Sequence, residues 1–405
     1  MIIFSQQRCA SYEHLQKQMA ENPAFAKKVR ETEKTFTNYK RQTGQPEQKR
    51  PSTITIPVVV HVVYNTDAQN ISDAQVQSQI DVLNNDFTAN NIDYNNHDAG
   101  YGSVKGDADI QFCLDQVVRK QTTKKSFGFN DQVKKDKFGG SSAVDPMSKF
   151  NIWVCNLQGL LGYAQFPGGP AETFGAVCHY RAFGSGESFD LFADYNLGRT
   201  ATHEVGHGLG LRHIWGDRRC GNDLVGDTPE QDAANFGCPP EGLQSLCPGN
   251  PLEMWMNYMD YTDDRCMYFF TDGQVSRMDF FIDSDEQINS IVNSTCGTGR
   301  ITDKNTITAT SNAFNSAKII LKNGFSLYPT ITSGQLALTV NEPSNRKAEI
   351  NIYNQTGALM MKQQIFISPA KALIQIDAGK LANGIYFLEL GEGVNRQTKK
   401  FIVQH

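Results

Sequence analysis

The sequence predicts an α+β unit of about 240 residues followed by a small all-β sandwich, behind a polar leader. Three observations carry that expectation. Strand-like and helix-like segments interleave between residues 53 and 296, and period-two alternation takes over after Phe325. The first fifty residues hold no dense apolar pattern. A chain of 405 residues is also too long for one average domain.

Residues 1–52 read as the remnant of a secretory signal and a pro-segment. Met1-Ile2-Ile3-Phe4 is shorter than a complete apolar signal core, so it reads as the tail of a truncated one, with an ordinary start as the alternative. The Gln-Pro-Glu-Gln-Lys-Arg-Pro run at 45–51 marks an exposed, cleavable linker. From Ile54 to Tyr64 the chain is apolar and β-branched, as in a strand buried on both faces. Ser72-Asp73-Ala74-Gln75 is a capping-box sequence, and Val76, Ile80, Leu83 and Phe87 follow on one helical face. Further strands are expected at Ile110–Leu114 and Ile152–Cys155, with edge strands at Leu161–Phe166 and Gly175–Tyr180. A second helix should span about Leu197 to Leu209, and a third should start at the Thr271-Asp272-Gly273-Gln274 box. Residues 297–324, rich in Thr, Asn, Ser and Lys, read as a linker. Residues 325–405 should form the sandwich. Glu349-Ile350-Asn351-Ile352 and Ile374-Gln375-Ile376-Asp377 alternate, with turn signals at Pro329, Gly334, Gly357 and Asn383-Gly384.

Composition narrows the functional classes. A net charge of −5 gives no reason to expect a nucleic-acid partner. The most apolar stretch, Ile56–Tyr64, is too short to cross a bilayer, so no transmembrane segment is expected. Nine cysteines point to an oxidising, extracellular compartment. Cys220, Cys238, Cys247 and Cys266 fall in a loop-rich stretch without a CxxC pair, which suits disulfides better than a second zinc site and permits three pairings. Cys113 and Cys155, inside apolar strands, read as small buried residues, and Cys178 and Cys296 are left unassigned.

The chemistry is concentrated in His203-Glu204-Val205-Gly206-His207-Gly208-Leu209-Gly210-Leu211-Arg212-His213. On a helix, His203 and His207 share a face one turn apart and can hold one cation, and zinc takes such nitrogen ligands. Gly210 lets the helix end in a left-handed turn so that His213 returns as the third ligand. Three side chains leave a fourth position for water, and Glu204 is placed to take a proton from it. A bare HExxH arises by chance. Three of the eight histidines within eleven residues, with Gly at the break, do not read that way. His61, His97 and His179 lack this context and read as ordinary core or surface histidines.

The extended motif resembles that of the metzincin zinc peptidases. Asn257-Tyr258-Met259-Asp260-Tyr261-Thr262-Asp263-Asp264 resembles the Met-turn of their pappalysin family. The resemblance runs over roughly residues 53–290 and takes in Ile56–Tyr64 and Asp223–Pro229. It implies a mixed sheet with an active-site helix, Met259 as a floor beneath the zinc, and Tyr261 assisting the tetrahedral intermediate. It further implies the disulfides Cys220–Cys247 and Cys238–Cys266, and a calcium ion on Asp223, Asp227 and Thr228. Asp264 corresponds to the acid at the base of the pocket for the residue after the scissile bond, which implies cleavage of protein or peptide substrates before Arg or Lys. Metzincin relatives are held latent by a cysteine, and here Cys9, after Arg8, is the candidate; a lipid-anchored Cys9 is the competing reading. If the enzyme cuts before basic residues, Gln48-Lys49-Arg50 is a self-processing site.

The C-terminal residues resemble the sorting domain of type IX secretion. The match rests on Leu327-Tyr328-Pro329-Thr330, Ile350-Asn351-Ile352-Tyr353-Asn354 with Gly357, Leu381-Ala382-Asn383-Gly384-Ile385-Tyr386 and Lys399-Lys400-Phe401-Ile402-Val403. An attached carbohydrate- or protein-binding module is the alternative. The expectation is thus a secreted or cell-surface zinc endopeptidase, made as a latent zymogen. A surface adhesin with a secondary metal unit, and a zinc hydrolase acting on a non-peptide bond, are the competing classes.

Overall fold

A computed structural model describes residues 7–43, 53–95, 100–296, 300–303, 325–328, 331–332, 334–340, 346–354, 358–367, 373–392 and 395–404. The chain divides into two compact units, Met1–Thr308 and Ala309–His405. His97 and the Gln48-Lys49-Arg50 stretch lie outside the described residues.

The first unit begins with strand β1 (Gln7–Cys9) and helices α1 (Ser11–Glu21) and α2 (Pro23–Thr43). Strand β2 (Ile54–Tyr64) and helix α3 (Asp73–Phe87) follow. Next come β3 (Lys105–Gly106), β4 (Ile110–Gln121), β5 (Phe150–Cys155), β6 (Leu160–Ala164) and β7 (Ala176–His179). Helix α4 (Arg199–Gly208), β8 (Phe270–Thr271), α5 (Asp272–Ser284), α6 (Glu286–Val292) and β9 (Arg300–Asp303) complete it. Seven strands form one mixed sheet in the order β1-β6-β7-β5-β2-β4-β9. β2 pairs in parallel with both β4 and β5, which is why its apolar run is continuous rather than alternating. The only antiparallel step among the described strands of this sheet is β6–β7.

Four sequence expectations are corrected here. β7 is not an edge strand, because β5 and β6 flank it. β6 is not one either, because β1 of the pro-segment covers it, Gln7 opposite Leu160 and Cys9 opposite Gly162. Arg300–Asp303, inside the expected linker, pairs with β4 and belongs to the sheet. Cys113 is not merely a small core residue; it bonds Cys296, with Cα atoms 6.3 Å apart.

Both capping sequences start helices, but differently. Thr271 and Gln274 close a full capping box on α5. Ser72 accepts from Gln75 N on α3, while the Gln75 amide donates instead to the carbonyls of Tyr180 and Phe183 and ties down that loop. α3 and α4 pack on the sheet around a core that includes Val58, Val60, Leu83, Phe150, Val205 and Met259.

The second unit is a sandwich. Strands β10 (Phe325–Tyr328), β11 (Ile331–Thr332), β12 (Gln335–Val340), β13 (Arg346–Asn354), β14 (Leu359–Ile367), β15 (Leu373–Asp377), β16 (Gly384–Glu392) and β17 (Asn395–Val403) form two sheets. Their orders are β10-β12-β15 and β11-β17-β16-β13-β14. Leu336, Leu338 and Ile376 of one sheet and Ile350, Ile352, Leu388 and Phe401 of the other share a single apolar core.

Candidate metal centre

Helix α4 is buried along its whole length and carries His203, Glu204 and His207. Its end is a Schellman turn: Leu211 N donates to Gly206 O at 2.9 Å and Gly210 N to His207 O at 2.9 Å. Gly210 sits at φ +93°, and a Cβ there would come within 2.1 Å of Phe281, so both conformation and space demand glycine. The turn sends His213 back beside the helix. The three Nε2 atoms converge, at 3.1 Å from His207 to His203, 3.1 Å from His207 to His213 and 3.2 Å from His203 to His213.

Each Nδ1 has a fixed acceptor. His203 donates to Tyr258 O at 2.7 Å, His207 to Leu211 O at 2.8 Å and His213 to Asp217 Oδ1 at 2.5 Å. With the ring protons so placed, every Nε2 presents a lone pair to the same point, which three hydrogen bonds cannot reconcile and one cation can. Burial, with the neighbouring rings, also pushes His203 and His207 well below their usual pKa and keeps them neutral. The donor set therefore fits zinc.

Met259 is fully buried and packs against the helix at Gly206, between the first two histidines in sequence. Gly206 makes that approach possible, since a Cβ there would meet Met259 Sδ at 2.7 Å. Trp215 stacks on His213 with ring centroids 4.4 Å apart, and Tyr261 meets the same imidazole edge-on at 4.9 Å.

Glu204 Oε2 accepts from Ser11 Oγ at 2.8 Å, while Oε1 is buried without a hydrogen-bond partner. Burial pushes this carboxyl up to about 8. Gly162 on β6 leaves the space it occupies, because a Cβ there would lie 2.6 Å from Oε1.

The pro-segment fills the cleft. Cys9 joins His203, His207 and His213 as a fourth buried donor, the ligand atoms all within 4.8 Å of one another. Its thiol is pushed well up by burial and by Glu204. One residue earlier, Arg8 Nη2 lies 3.2 Å from Asp264 Oδ1, both side chains essentially inaccessible. The Arg8 guanidinium also covers the Tyr195 ring at 4.8 Å. Asp264 Oδ2 accepts from Leu197 N at 3.0 Å and Arg199 N at 3.1 Å, which places the acid at the positive end of α4. Tyr261 OH donates to Cys9 O at 3.2 Å. Further along, His14 Nε2 lies 2.8 Å from Asp131 Oδ2, and Glu33 of α2 is held by Arg212 and Arg277.

Cys220–Cys247 and Cys238–Cys266 are the disulfides closed in the loop after α4, the pairs the family resemblance implies, while Cys9, Cys155 and Cys178 are free and buried. Of the residues expected to hold calcium, Thr228 Oγ1 donates to Asp223 Oδ1 at 2.7 Å. Asp223 Oδ2 is buried with no hydrogen-bond partner, and burial pushes this carboxyl up to about 7. Asp227 is otherwise engaged, accepting from Thr271 Oγ1 at 2.8 Å and Gly273 N at 2.7 Å.

Sequence reasoning missed Ser11, Gly162, Glu33 and Asp217. Asp217, four residues past His213, was the one with a local signal; the others act on residues far away in the chain.

A metal-ready triad on a helix that breaks at glycine, with a buried methionine packed against that helix, places this unit among the metzincin-type metallopeptidases. Comparison with known proteins narrows the class. Residues 134–283 match the peptidase family M43, Pregnancy-associated plasma protein-A, and residues 326–404 match a secretion system C-terminal sorting domain. An extracellular metalloprotease of Arthroderma otae is 35% identical over 236 residues, 56% of this chain and 76% of that protein. A promirolysin mutant of Tannerella forsythia is 40% identical with a TM-score of 0.64, covering 70% of this chain and 97% of that one. Mature mirolysin of the same organism, in complex with a cleaved peptide, is 44% identical with a TM-score of 0.57, covering 60% and 97%. The chain belongs to the pappalysin family, M43. It is a secreted or cell-surface metalloendopeptidase with the organisation of a zymogen and a type IX sorting domain.

Proposed function

We propose that the chain is exported as a latent precursor and, once its pro-segment is removed, hydrolyses proteins before Arg or Lys. His203, His207 and His213 hold the zinc, and Cys9 closes the fourth position in the precursor. The observation that carries this reading is Arg8, buried against Asp264 one residue away from the thiol among the imidazoles. An arginine already lies in the acidic pocket that would receive the residue after the cut. Arg8 precedes Cys9, whereas that substrate residue follows the attacked carbonyl, so the pro-segment crosses the cleft in the opposite sense and offers no bond for cleavage.

A bound zinc ion supplies Lewis acidity at the open position. Glu204 takes the proton of the attacking water on its carboxylate and returns it to the leaving amine. Met259 floors the site, and Tyr261, freed from Cys9 O when the pro-segment leaves, turns its phenol towards the developing oxyanion. Calcium on the Asp223 loop belongs to the same proposal, supported by the partnerless Asp223 Oδ2. The sandwich directs the precursor to the type IX machinery.

A proteomic cleavage-site profile of the processed protein, with chelator and Glu204→Ala controls, tests the core of this reading. Basic residues should dominate directly after the cut, and both controls should abolish cleavage; a profile indifferent to Arg and Lys refutes the specificity. Calcium should raise the melting temperature of the wild type but not of Asp223→Asn. Deleting residues 325–405 should prevent export while leaving peptidase activity intact.

A further inference from the structure

The two ends of α4 carry opposite recognition charges. Asp264 sits at the first residue, on Arg199 N. At the other end Arg277 Nε donates to Gly210 O at 2.7 Å, and Arg212 follows the turn directly. Both placements agree with the helix dipole. A bond to the Gly210 carbonyl, in the turn after the helix, explains one nitrogen of Arg277; it does not explain the rest. Arg277 Nη1 and Nη2 grip Glu33 Oε2 at 3.0 Å and Oε1 at 2.6 Å, and Arg212 Nε and Nη2 reach Oε1 at 3.1 and 2.9 Å. Two guanidinium groups thus make four hydrogen bonds to one carboxylate, with the Arg277 side chain wholly buried. Three residues on, Phe36 covers Arg277 at 4.8 Å and meets Phe280.

The two arginines belong to the peptidase unit, while the acid they hold belongs to the segment that is removed. We infer that Arg212 and Arg277 form a carboxylate-binding subsite, filled by Glu33 in the precursor and taken in the mature enzyme by an acidic side chain of the protein being cut. The inference rests on the reading that the pro-segment leaves. The reversed course of that segment fixes the side. β1 runs parallel to β6, and just past the end of β6 Phe166 lines one pocket with Leu15, Glu33 and Arg212, so the subsite lies on the side of Cys9 away from Arg8 and serves residues ahead of the scissile bond. When α2 leaves, the four guanidinium N–H groups that held Glu33 are opened to water and to any new carboxylate that can make the same charge-assisted bonds. Apolar side chains prepare the approach: Phe166 stands 5.1 Å from the His207 ring and packs with Leu15 and Phe25 of the pro-segment.

The test uses the full chain, cut within residues 48–50 and freed of the released segment. A fluorescent peptide of residues 23–43 is titrated against it by anisotropy, beside the same peptide with Glu33→Gln. The Glu33 peptide should bind at least tenfold more tightly, and the ratio should shrink towards one in Arg212→Gln; equal affinities in the wild type overturn the subsite. In parallel, quenched peptides share one cut site with Arg after it and carry a single Glu, Gln or Lys stepped through the eight positions ahead. At one or two positions Glu should raise kcat/KM at least fivefold over Gln, mainly through KM, with Lys worst. A flat profile in an active enzyme overturns the subsite and leaves the peptidase reading standing. If no peptide is cut, the peptidase reading fails, and the anisotropy ratio still decides the subsite.

Discussion

Replacing Arg8 by alanine should release the pro-segment without any cut. The Arg8 and Asp264 side chains are 1% and 0% exposed. Removing one partner of such a pair strands the other charge, at a cost of about 3–5 kcal/mol. Asp264 keeps two backbone N–H donors on its second oxygen, so the lower end applies. At about 3 kcal/mol the docked–undocked equilibrium shifts on the order of a hundredfold. The shift can be read without catalysis. Cys9 is fully buried, so its thiol meets a small disulfide reagent only when the segment lifts. In a chain with Lys49 and Arg50 replaced by alanine, the modification rate at Cys9, followed by peptide mass spectrometry, should rise about a hundredfold in Arg8→Ala. Arg8→Lys should give a smaller rise. Lys27→Ala, on the exposed face of α2, is the control. A rate unchanged in Arg8→Ala, or raised equally in Lys27→Ala, would refute the reasoning.

Three further outcomes follow from packing and covalent structure. Gly162→Ala drives a methyl group into Glu204 and should lower kcat of the processed enzyme on the order of a hundredfold with KM little changed, as steady-state kinetics on one peptide will show. Gly210→Ala combines a left-handed backbone with a collision at Phe281 and should cost about 2–4 kcal/mol, visible as a lowered thermal midpoint. Alkylation under denaturing, non-reducing conditions should label Cys9, Cys155 and Cys178 of the described cysteines and spare the other six. Cys113→Ser should then add Cys296 to the labelled set and destabilise the unit by up to about 5 kcal/mol, the bond spanning 183 positions of the chain.

What the sequence disclosed followed from how local each signal is. The zinc motif is legible because ligand spacing, carboxylate and terminating glycine lie on one helix and one turn. β2 was legible because burial on both faces leaves a continuous apolar run, and α5 because its capping box is contiguous. The pro-segment was opaque for the opposite reason. Leu15 and Phe25 complete their cluster with Phe166, and Phe36 meets Phe280, so the core of this stretch is finished by residues far away in the chain. Ser11 and Gly162 serve a carboxylate supplied by α4, and nothing beside either residue announces the partner. Cys113 had the pattern of an ordinary strand residue, its partner lying beyond α6. β7 was taken for an edge because its covering neighbours come from outside its own stretch.

The Cys113–Cys296 bond bears on export as well as on stability. Cys296 is the last described residue before β9, the final element of the peptidase unit. Tension applied through the sorting domain travels back along the backbone, works first against the four pairs of β9 on β4, and then meets a covalent anchor in the central sheet. The chain between the two cysteines, α6 and the active-site helix included, lies within the loop that this bond closes and is bypassed by the pull.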